Sequence, residues 1–381
     1  MRRVYLDYNA TTPLHPKLKN EIEPFFDYLF GNPSSTHWAG RLAKEKIEEA
    51  RLNVAKLINA KPDEIIFTGS GTESSNIAIK GIAFGFRKKG NHIISTTVEH
   101  PCVLNTLKYL ESKGFEVTYL PVDSIGQIDP EEVKRAIKKE TILITVMYAN
   151  NETGTVLPVK EIGKIAREYE VIFHSDMVQA LGKLKIDIEE LNVDLASFSG
   201  HKAYAPKGIG FLYVREGISG MEPLTHGGHQ EKGLRPGTEN TLGIVTMGIC
   251  AASLMEEIDR DIERMENMRK RLLEGITKCV DGITLNGDQE RRLPNTINLS
   301  FDGIEGPNLL SVLDSLGIAI SSGAACTSGK SSLSHVLLAM GLPEEKIRSA
   351  VRISLGKFTE EKDIDYAISV IPSAVKRLRE R

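Results

Sequence analysis

The sequence has few cysteines, and none of them forms a local pair. Its 381 residues include only four, Cys102, Cys250, Cys279 and Cys326, and no two of these form a C-x-x-C motif. This scarcity excludes a disulfide-rich scaffold, and the spacing gives no local zinc signature. Each cysteine is therefore expected to be a small buried residue unless its neighbours indicate chemistry.

Long apolar runs and a strong excess of one charge are also lacking. Charged residues make up 26% of the chain, and the formal net charge is only -3. The sequence reaches Asp7 without the apolar core of a signal peptide. We see no apolar run near the roughly 20 residues that span a bilayer, and no basic composition typical of nucleic-acid binding. We therefore expect a cytoplasmic protein that binds neither membranes nor nucleic acid.

Strand and helix signals alternate through the first half of the chain. Apolar runs at residues 65–67, 92–95, 117–120, 141–147, 171–174 and 195–197 predict strands, and the segments between them predict helices. The short links predict an α/β fold, with a mainly parallel sheet flanked by helices. A long charged helix from about residue 243 past 268 leads towards a smaller α+β domain. We predict a large domain over residues 14–257 and a small domain made of residues 1–13 with 258–381.

Two polar residues follow apolar strands at the strand ends where open α/β sheets bind ligands. Lys202 lies in a Ser-Gly-His-Lys segment, whose small residues would leave room for a flat ring beside an amine that forms a Schiff base. Asp176 could pair with a protonated pyridine nitrogen, and Gln179 could donate to the phenolic oxygen of the same ring. A solvated loop lysine and a helix N-cap aspartate are the alternatives.

Three further loops carry candidate ligand groups. The segment at residues 68–73 could offer backbone N–H groups and the Thr72 hydroxyl to a phosphate, or it is a plain strand-to-helix turn. His100 could stack on a ring and move protons, although histidines are common in turns. Asn151 could hydrogen-bond a ring oxygen or simply form a turn.

The last third of the chain supplies a thiol and a guanidinium. The small residues around Cys326 predict an exposed loop, in which a thiolate could act as a nucleophile, or else a tight turn. Arg352 lies within an apolar strand at residues 351–354. A bidentate grip on a substrate carboxylate would explain such a position, and so would a structural ion pair.

Together these segments resemble the cysteine desulfurases of the NifS/IscS type, within the fold-type I pyridoxal-phosphate (PLP) enzymes. The resemblance runs from residues 5–13 and 31–35 to 352–356, and its most specific motifs are residues 199–202, 235–238 and the cysteine loop at 321–334. It implies a fold-type I transferase that removes sulfur from L-cysteine. The products would be L-alanine and a persulfide on Cys326, which is passed on for iron–sulfur cluster assembly.

The resemblance also implies a role for each candidate residue. Lys202, Cys326 and His100 would be catalytic, and Lys202 would hold PLP covalently. The residues implied to bind PLP are Gly71, Thr72, His100, Asn151, Asp176, Gln179, Ser199, His201 and Lys202, with Thr238 from the neighbouring subunit of a homodimer. Asn151 and Arg352 would bind the substrate.

The implied partner is an IscU-like iron–sulfur scaffold protein that accepts the sulfur. Cys326 could also ligate a transient [2Fe-2S] cluster shared with that scaffold. Three alternatives to the desulfurase remain: a selenocysteine lyase, a class-V-like aminotransferase, and a non-catalytic iron–sulfur assembly scaffold. Transamination needs no nucleophilic cysteine, and a silent scaffold has no need of Lys202, Asp176, His100 and Cys326 together.

Overall fold

Strands and helices alternate along the chain in the computed structural model, which describes residues 2–322 and 333–380. The strands are β1 (Val4–Tyr5), β2 (Ile65–Thr68), β3 (His92–Thr96), β4 (Glu116–Leu120), β5 (Thr141–Thr145), β6 (Ile172–Asp176), β7 (Leu195–Ser199), β8 (Gly210–Val214), β9 (Ile283–Leu285), β10 (Thr296–Phe301), β11 (Ile318–Ala319), β12 (Ser321–Ser322) and β13 (Ala350–Ser354). The helices are α1 (Leu18–Glu21), α2 (Pro24–Asp27), α3 (Trp38–Leu57), α4 (Gly71–Gly85), α5 (Pro101–Glu111), α6 (Pro130–Ala136), α7 (Val159–Glu168), α8 (Ile188–Leu191), α9 (Thr241–Thr277), α10 (Gly306–Ser315), α11 (His335–Ala339), α12 (Glu344–Arg348) and α13 (Glu361–Arg379).

The central sheet has seven strands in the order β2-β8-β7-β6-β5-β3-β4. The five strands from β3 to β7 are joined by parallel pairings. Strand β8 runs antiparallel to both of its neighbours, β2 and β7. Strand β5 is fully buried along its Thr-Ile-Leu-Ile-Thr run, as expected of an inner strand with both faces covered. The predicted α/β fold with a mainly parallel sheet is confirmed.

Helices cover both faces of this sheet, and each face has its own hydrophobic core. Ile65 and Phe67 of β2 belong to the core that also holds α3 and α9, whereas Ile66 between them belongs to the core with α4 and α5. The division follows from strand geometry, because successive side chains point to opposite faces of a sheet. The loops at the strand ends are therefore held between two packed layers.

A third core lies beyond the central sheet. It combines Val4 and Leu6 with apolar residues between Met268 and Val375, around the antiparallel sheet β12-β13-β10-β9 and the parallel pair β1-β11. Both ends of the chain thus share one core, while α9 contributes residues to the first core and to this one. The exact division into residues 14–257, and 1–13 with 258–381, stays a prediction.

Helix α9 is long and apolar enough to span a membrane by length and composition, which we did not expect from the sequence. More than half of its most apolar stretch is buried inside the protein. Its buried residues include Met247 and Leu254, which belong to the same core as Val54 of α3. A buried core helix and a membrane-spanning helix can have the same length and apolar composition. In α9, packing within this chain accounts for the apolar face.

Candidate active site

A cavity of about 330 Å³ opens where β6 and β7 end, between the central sheet and β13. Ten of the residues singled out from the sequence line it: Gly71, Thr72, His100, Asn151, Asp176, Gln179, Ser199, His201, Lys202 and Arg352. Thr238 is exposed and does not line the cavity in its own chain. Cys326 lies outside the described residues. A wider groove of about 930 Å³ beside α7 and α9 contains none of these residues.

Lys202 reaches the cavity from the short turn that follows β7. Its Nζ donates to the backbone oxygens of Asn9 and Ala10, each at 2.6 Å. These carbonyls belong to the N-terminal segment, which lies far from Lys202 in sequence. The contacts hold the amine at the cavity wall, where it could bond covalently to a ligand once it has lost its proton.

Asp176 is the last residue of β6, and its carboxyl group is buried. The Val178 N–H donates to Oδ1 at 3.0 Å. Burial raises the pKa of Asp176 to about 6, although this hydrogen bond and the nearby Lys202 act in the opposite direction. A cationic ring nitrogen beside this carboxyl would reverse the shift, because it would stabilise the carboxylate.

His100 is the N-cap residue of α5, and its Nδ1 accepts the backbone N–H of Cys102 at 3.2 Å. In a neutral imidazole this arrangement puts the ring proton on Nε2. Burial, together with the charges of Lys202 and His335, lowers the pKa of His100 to about 4. The ring is therefore neutral at neutral pH, with one N–H to donate.

Helix α4 begins at the cavity with Gly71, just after its N-cap Ser70. A Cβ atom on Gly71 would lie 2.6 Å from Cγ2 of Val178 and 3.3 Å from Cβ of Ser199. Glycine therefore allows the close approach of this helix to the strand-end loops. The first N–H groups of a helix lack partners within the helix, so they can bind an anion such as phosphate.

Two more sequence-predicted residues line the same cavity. Nδ1 of His201 lies 3.1 Å from Oγ1 of Thr11, and burial lowers the pKa of His201 to about 4, assisted by Lys202. The backbone oxygen of Asn151 accepts from Arg352 at 3.0 Å, and Asn151 itself lines the cavity.

Three residues at or beside the cavity were not predicted to act there. Glu99 is fully buried, and burial raises its pKa to about 8. Cys102, which we expected to be purely structural, lines the cavity. Lys183 is buried four residues beyond Gln179 and donates to its side chain at 2.8 Å. In the sequence, Glu99 is linked to the site only by its position next to His100, and Lys183 only by its position four residues after Gln179. Neither position indicates that the side chain is buried.

The sequence profile of the aminotransferase class-V family matches residues 4–367. The chain belongs to this family. It is 47% identical over 378 residues to the cysteine desulfurase IscS of Dictyoglomus turgidum, covering 99% of this chain and 96% of that protein. The IscS of Methanosarcina thermophila is 46% identical, with 99% and 93% covered. A solved NifS-like protein superposes with a TM-score of 0.93 at 40% identity, covering 99% of this chain and all of the other. The resemblance to desulfurases of the NifS/IscS type is confirmed.

This family is PLP-dependent, and the cavity fits that group. It offers an amine on Lys202, a buried carboxyl on Asp176 and a neutral imidazole on His100. The start of α4, which packs closely at Gly71, suits the phosphate. These are the kinds of group that a flat, cationic, phosphorylated ring requires.

Proposed function

We propose that this protein is a PLP-dependent cysteine desulfurase that converts L-cysteine to L-alanine and keeps the sulfur as a persulfide on Cys326. The observation that carries the proposal is the convergence of Lys202, Asp176 and Arg352 on one cavity. A cofactor-binding amine, a buried carboxyl and a guanidinium for an amino-acid carboxylate are together what such a reaction needs. The identity to IscS proteins supports the choice of substrate.

Nine residues of the cavity have a proposed task towards the cofactor. Bound PLP supplies an electron-withdrawing ring that weakens bonds next to the amino group of the substrate. Lys202 would bind it covalently, His100 would lie against the ring, and Asp176 would pair with the ring nitrogen. The remaining contacts would come from Gln179 and Asn151 on the ring side, and from Gly71, Thr72, Ser199 and His201 on the phosphate.

Arg352 would hold the substrate carboxylate, with Asn151 beside it. Arg352 is only 3% exposed, and two of its nitrogens already contact Asp7 and the backbone of Asn151. Its Nε is buried without a hydrogen-bond partner in the described part of the chain. The guanidinium is thus preset in one orientation, which limits the entropy lost when a carboxylate binds.

His100 would move protons between the substrate and the cavity. Its low pKa keeps the ring neutral, so the imidazole can accept a proton as a base and then return it from the imidazolium form. Its partial burial also limits the contact of the ring with bulk water. The Lys202 amine, when it is not bonded to the cofactor, would be a second group able to transfer protons.

Cys326 would be the sulfur acceptor. Its thiolate would attack the substrate sulfur, the carbon–sulfur bond would break, and the carbon would take up a proton to give alanine. A thiol and cysteine thereby become a persulfide and alanine, with no external oxidant. Residues on either side of the Cys326 segment lie next to the cavity residues, which supports this role. Ser321 pairs with Arg352, and Nε2 of His335 lies 3.0 Å from the backbone oxygen of Glu99, the neighbour of His100.

We further propose a homodimer in which Thr238 binds the phosphate in the partner subunit. Exposed aromatic side chains support self-association: Phe26 is 81% exposed, Phe30 69% and Trp38 60%. The persulfide would pass in the cytoplasm to an IscU-like scaffold, and Cys326 could contact the [2Fe-2S] cargo there. In the described ranges, no three acidic, histidine or cysteine side chains are grouped as metal ligands.

The test is the release of alanine and sulfide from L-cysteine in the presence of a reducing thiol. We expect equal amounts of both from the wild type and neither from Cys326→Ala. Lys202→Ala should lose the visible absorption band of bound PLP. Equal activity of Cys326→Ala would overturn the persulfide role, and would then favour a selenocysteine lyase if L-selenocysteine is also consumed.

A further inference from the structure

Lys183 is a buried lysine that contacts an amide in place of a carboxylate. Its side chain is 4% exposed, and Nζ donates to Oε1 of Gln179 at 2.8 Å and to the backbone oxygen of Gln179 at 3.2 Å. Over residues 2–322 and 333–380, no carboxylate oxygen lies within 4.0 Å of this amine. An unpaired buried charge is costly, so the position calls for an explanation.

The contacts of Lys183 match those of a neutral amine. An ammonium group has three donors, whereas a neutral amine has two, and two acceptors of Gln179 face Nζ. Burial lowers the pKa of Lys183 well below that of a free lysine, and the positive charges of Lys202 and Arg352 act in the same direction. The side chain therefore serves as a hydrogen-bond donor and not as a counter-ion.

The orientation of the Gln179 amide is fixed at both ends. Nε2 donates to the backbone oxygen of Asn9 at 3.0 Å, and a carbonyl oxygen can only accept. The Gln179 oxygen must then face Lys183. The same Asn9 oxygen also accepts from Lys202 at 2.6 Å, so Gln179 lies next to the amine proposed to carry PLP.

We propose that Lys183 is a positioning residue that holds the Gln179 amide with its N–H₂ group towards the cofactor. The inference rests on the proposed function, because the partner of Gln179 is then the phenolic oxygen of PLP. Without Lys183, Oε1 would lose its donor, and the amide could turn to present an acceptor to that oxygen. Two acceptors cannot hydrogen-bond each other, so cofactor binding would weaken.

The experiment is a double-mutant cycle on the full-length protein. PLP is removed and then titrated back into the wild type, Lys183→Met, Gln179→Met and the double variant, with the visible band as the readout. We expect each single variant to bind PLP about three- to tenfold more weakly, as for one neutral hydrogen bond. The double variant should be no weaker than Gln179→Met alone, because Lys183 acts only through that amide.

Lys185→Met is the matched control, since this neighbouring lysine is 67% exposed and pairs with Asp259 on the surface. It should bind PLP within twofold of the wild type. Thermal unfolding of every variant shows whether a loss of affinity reflects a loss of fold. If Lys183→Met does not fold, Lys183→Leu replaces it in the same cycle.

Two outcomes would overturn the role of Lys183. One is a folded Lys183→Met that binds PLP as the wild type does, and the other is a double variant whose loss is the product of the two single losses. A wild type that binds no PLP would instead overturn the proposed function. The two failures are therefore distinguishable in one set of titrations.

Discussion

Nη2 of Arg352 lies 2.8 Å from Oδ1 of Asp7, in a largely buried ion pair that joins β13 to the N-terminal segment. The two residues are 345 positions apart in the chain. The carboxylate neutralises a guanidinium that would otherwise be isolated in the interior, and it fixes the directions in which the remaining N–H groups point. The proposed substrate-binding group is therefore held in place before any ligand arrives.

We expect Asp7→Asn to lower the free energy of unfolding by about 1–3 kcal/mol, because a charged hydrogen bond to a buried arginine becomes a neutral one. Denaturant unfolding measures this change. Glu256→Gln, which breaks the exposed pair with Lys17, is the control and should change stability by less than about 1 kcal/mol. If both variants lost the same free energy of unfolding, the ion pair with Asp7 would not be what stabilises the buried guanidinium of Arg352.

Arg352→Lys should raise the KM for L-cysteine about tenfold to a hundredfold, because a lysine cannot offer the forked donors of a guanidinium. Arg352 is placed on the substrate and not on the cofactor, so the visible band of bound PLP should be retained. Steady-state kinetics and the absorption spectrum test the two expectations together. A lost band with unchanged KM would contradict this assignment.

Glu99 should make the protein less stable as pH rises. Its folded pKa is raised from 4.5 to about 8 by burial, so the folded state holds a proton that the unfolded state has released over that window. The stabilisation that Glu99 gives the folded state is fully present below pH 4.5 and is lost as the pH rises towards 8. Glu99→Gln cannot ionise, so its stability relative to the wild type should grow by up to about 1.4 kcal/mol per pH unit.

The measurement is denaturant unfolding between pH 5 and pH 8, with Glu263→Gln as the control at an exposed carboxyl group. The control should follow the wild type at every pH. Parallel stability curves for Glu99→Gln and the wild type would mean that Glu99 ionises as freely in the fold as in the unfolded chain.

Gly71→Ala should destabilise the start of α4 by about 1–3 kcal/mol, since the added Cβ would lie 2.6 Å from Val178. Shortening the neighbour should relieve the clash, so Gly71→Ala combined with Val178→Ala should recover much of the loss. Unfolding of the three variants tests this steric account. A double variant that is less stable than Gly71→Ala alone would refute it.

The described cysteines should differ sharply in thiol reactivity. Burial raises the pKa of Cys250 to about 12 and raises that of Cys102 as well, so neither forms the reactive thiolate at neutral pH. Cys279 is exposed. An alkylating reagent should therefore label Cys279 in the native Cys326→Ala variant, and peptide mapping should find the other two only after unfolding.

Much of the fold was predictable because it depends on local pattern. The apolar run at 141–147 predicted the inner strand β5, and the order of strands and helices predicted a parallel sheet. Residues after the strands then had to meet at one edge, which is why Asp176 and Lys202 share a cavity. The antiparallel β8 was not predicted: its Gly-Phe-Leu-Tyr-Val run is apolar enough for a buried strand, but nothing in the run indicates the direction of the strand.

The rest of the site depends on contacts between distant residues. Nothing in the local sequence indicates that the backbone oxygen of Asn9 would accept from both Lys202 and Gln179. The burial of Lys183 and Glu99 is equally hidden, because charged residues are rarely buried and sequence reasoning places them on the surface. Such groups become visible only when the packing around them is known.

The ion pair between Asp7 and Arg352 also bears on the order in which the molecule gains its activity. A contact across almost the whole chain closes a larger loop than any pairing of the central sheet, such as that of Ile65 with Tyr213, so it is expected to form later. A partly refolded chain could therefore have a complete central sheet and still lack the counter-ion that orients Arg352. The same N-terminal segment supplies the Asn9 and Ala10 oxygens that hold Lys202, so cofactor binding and the ability to hold an amino acid should both return only after the central sheet has formed.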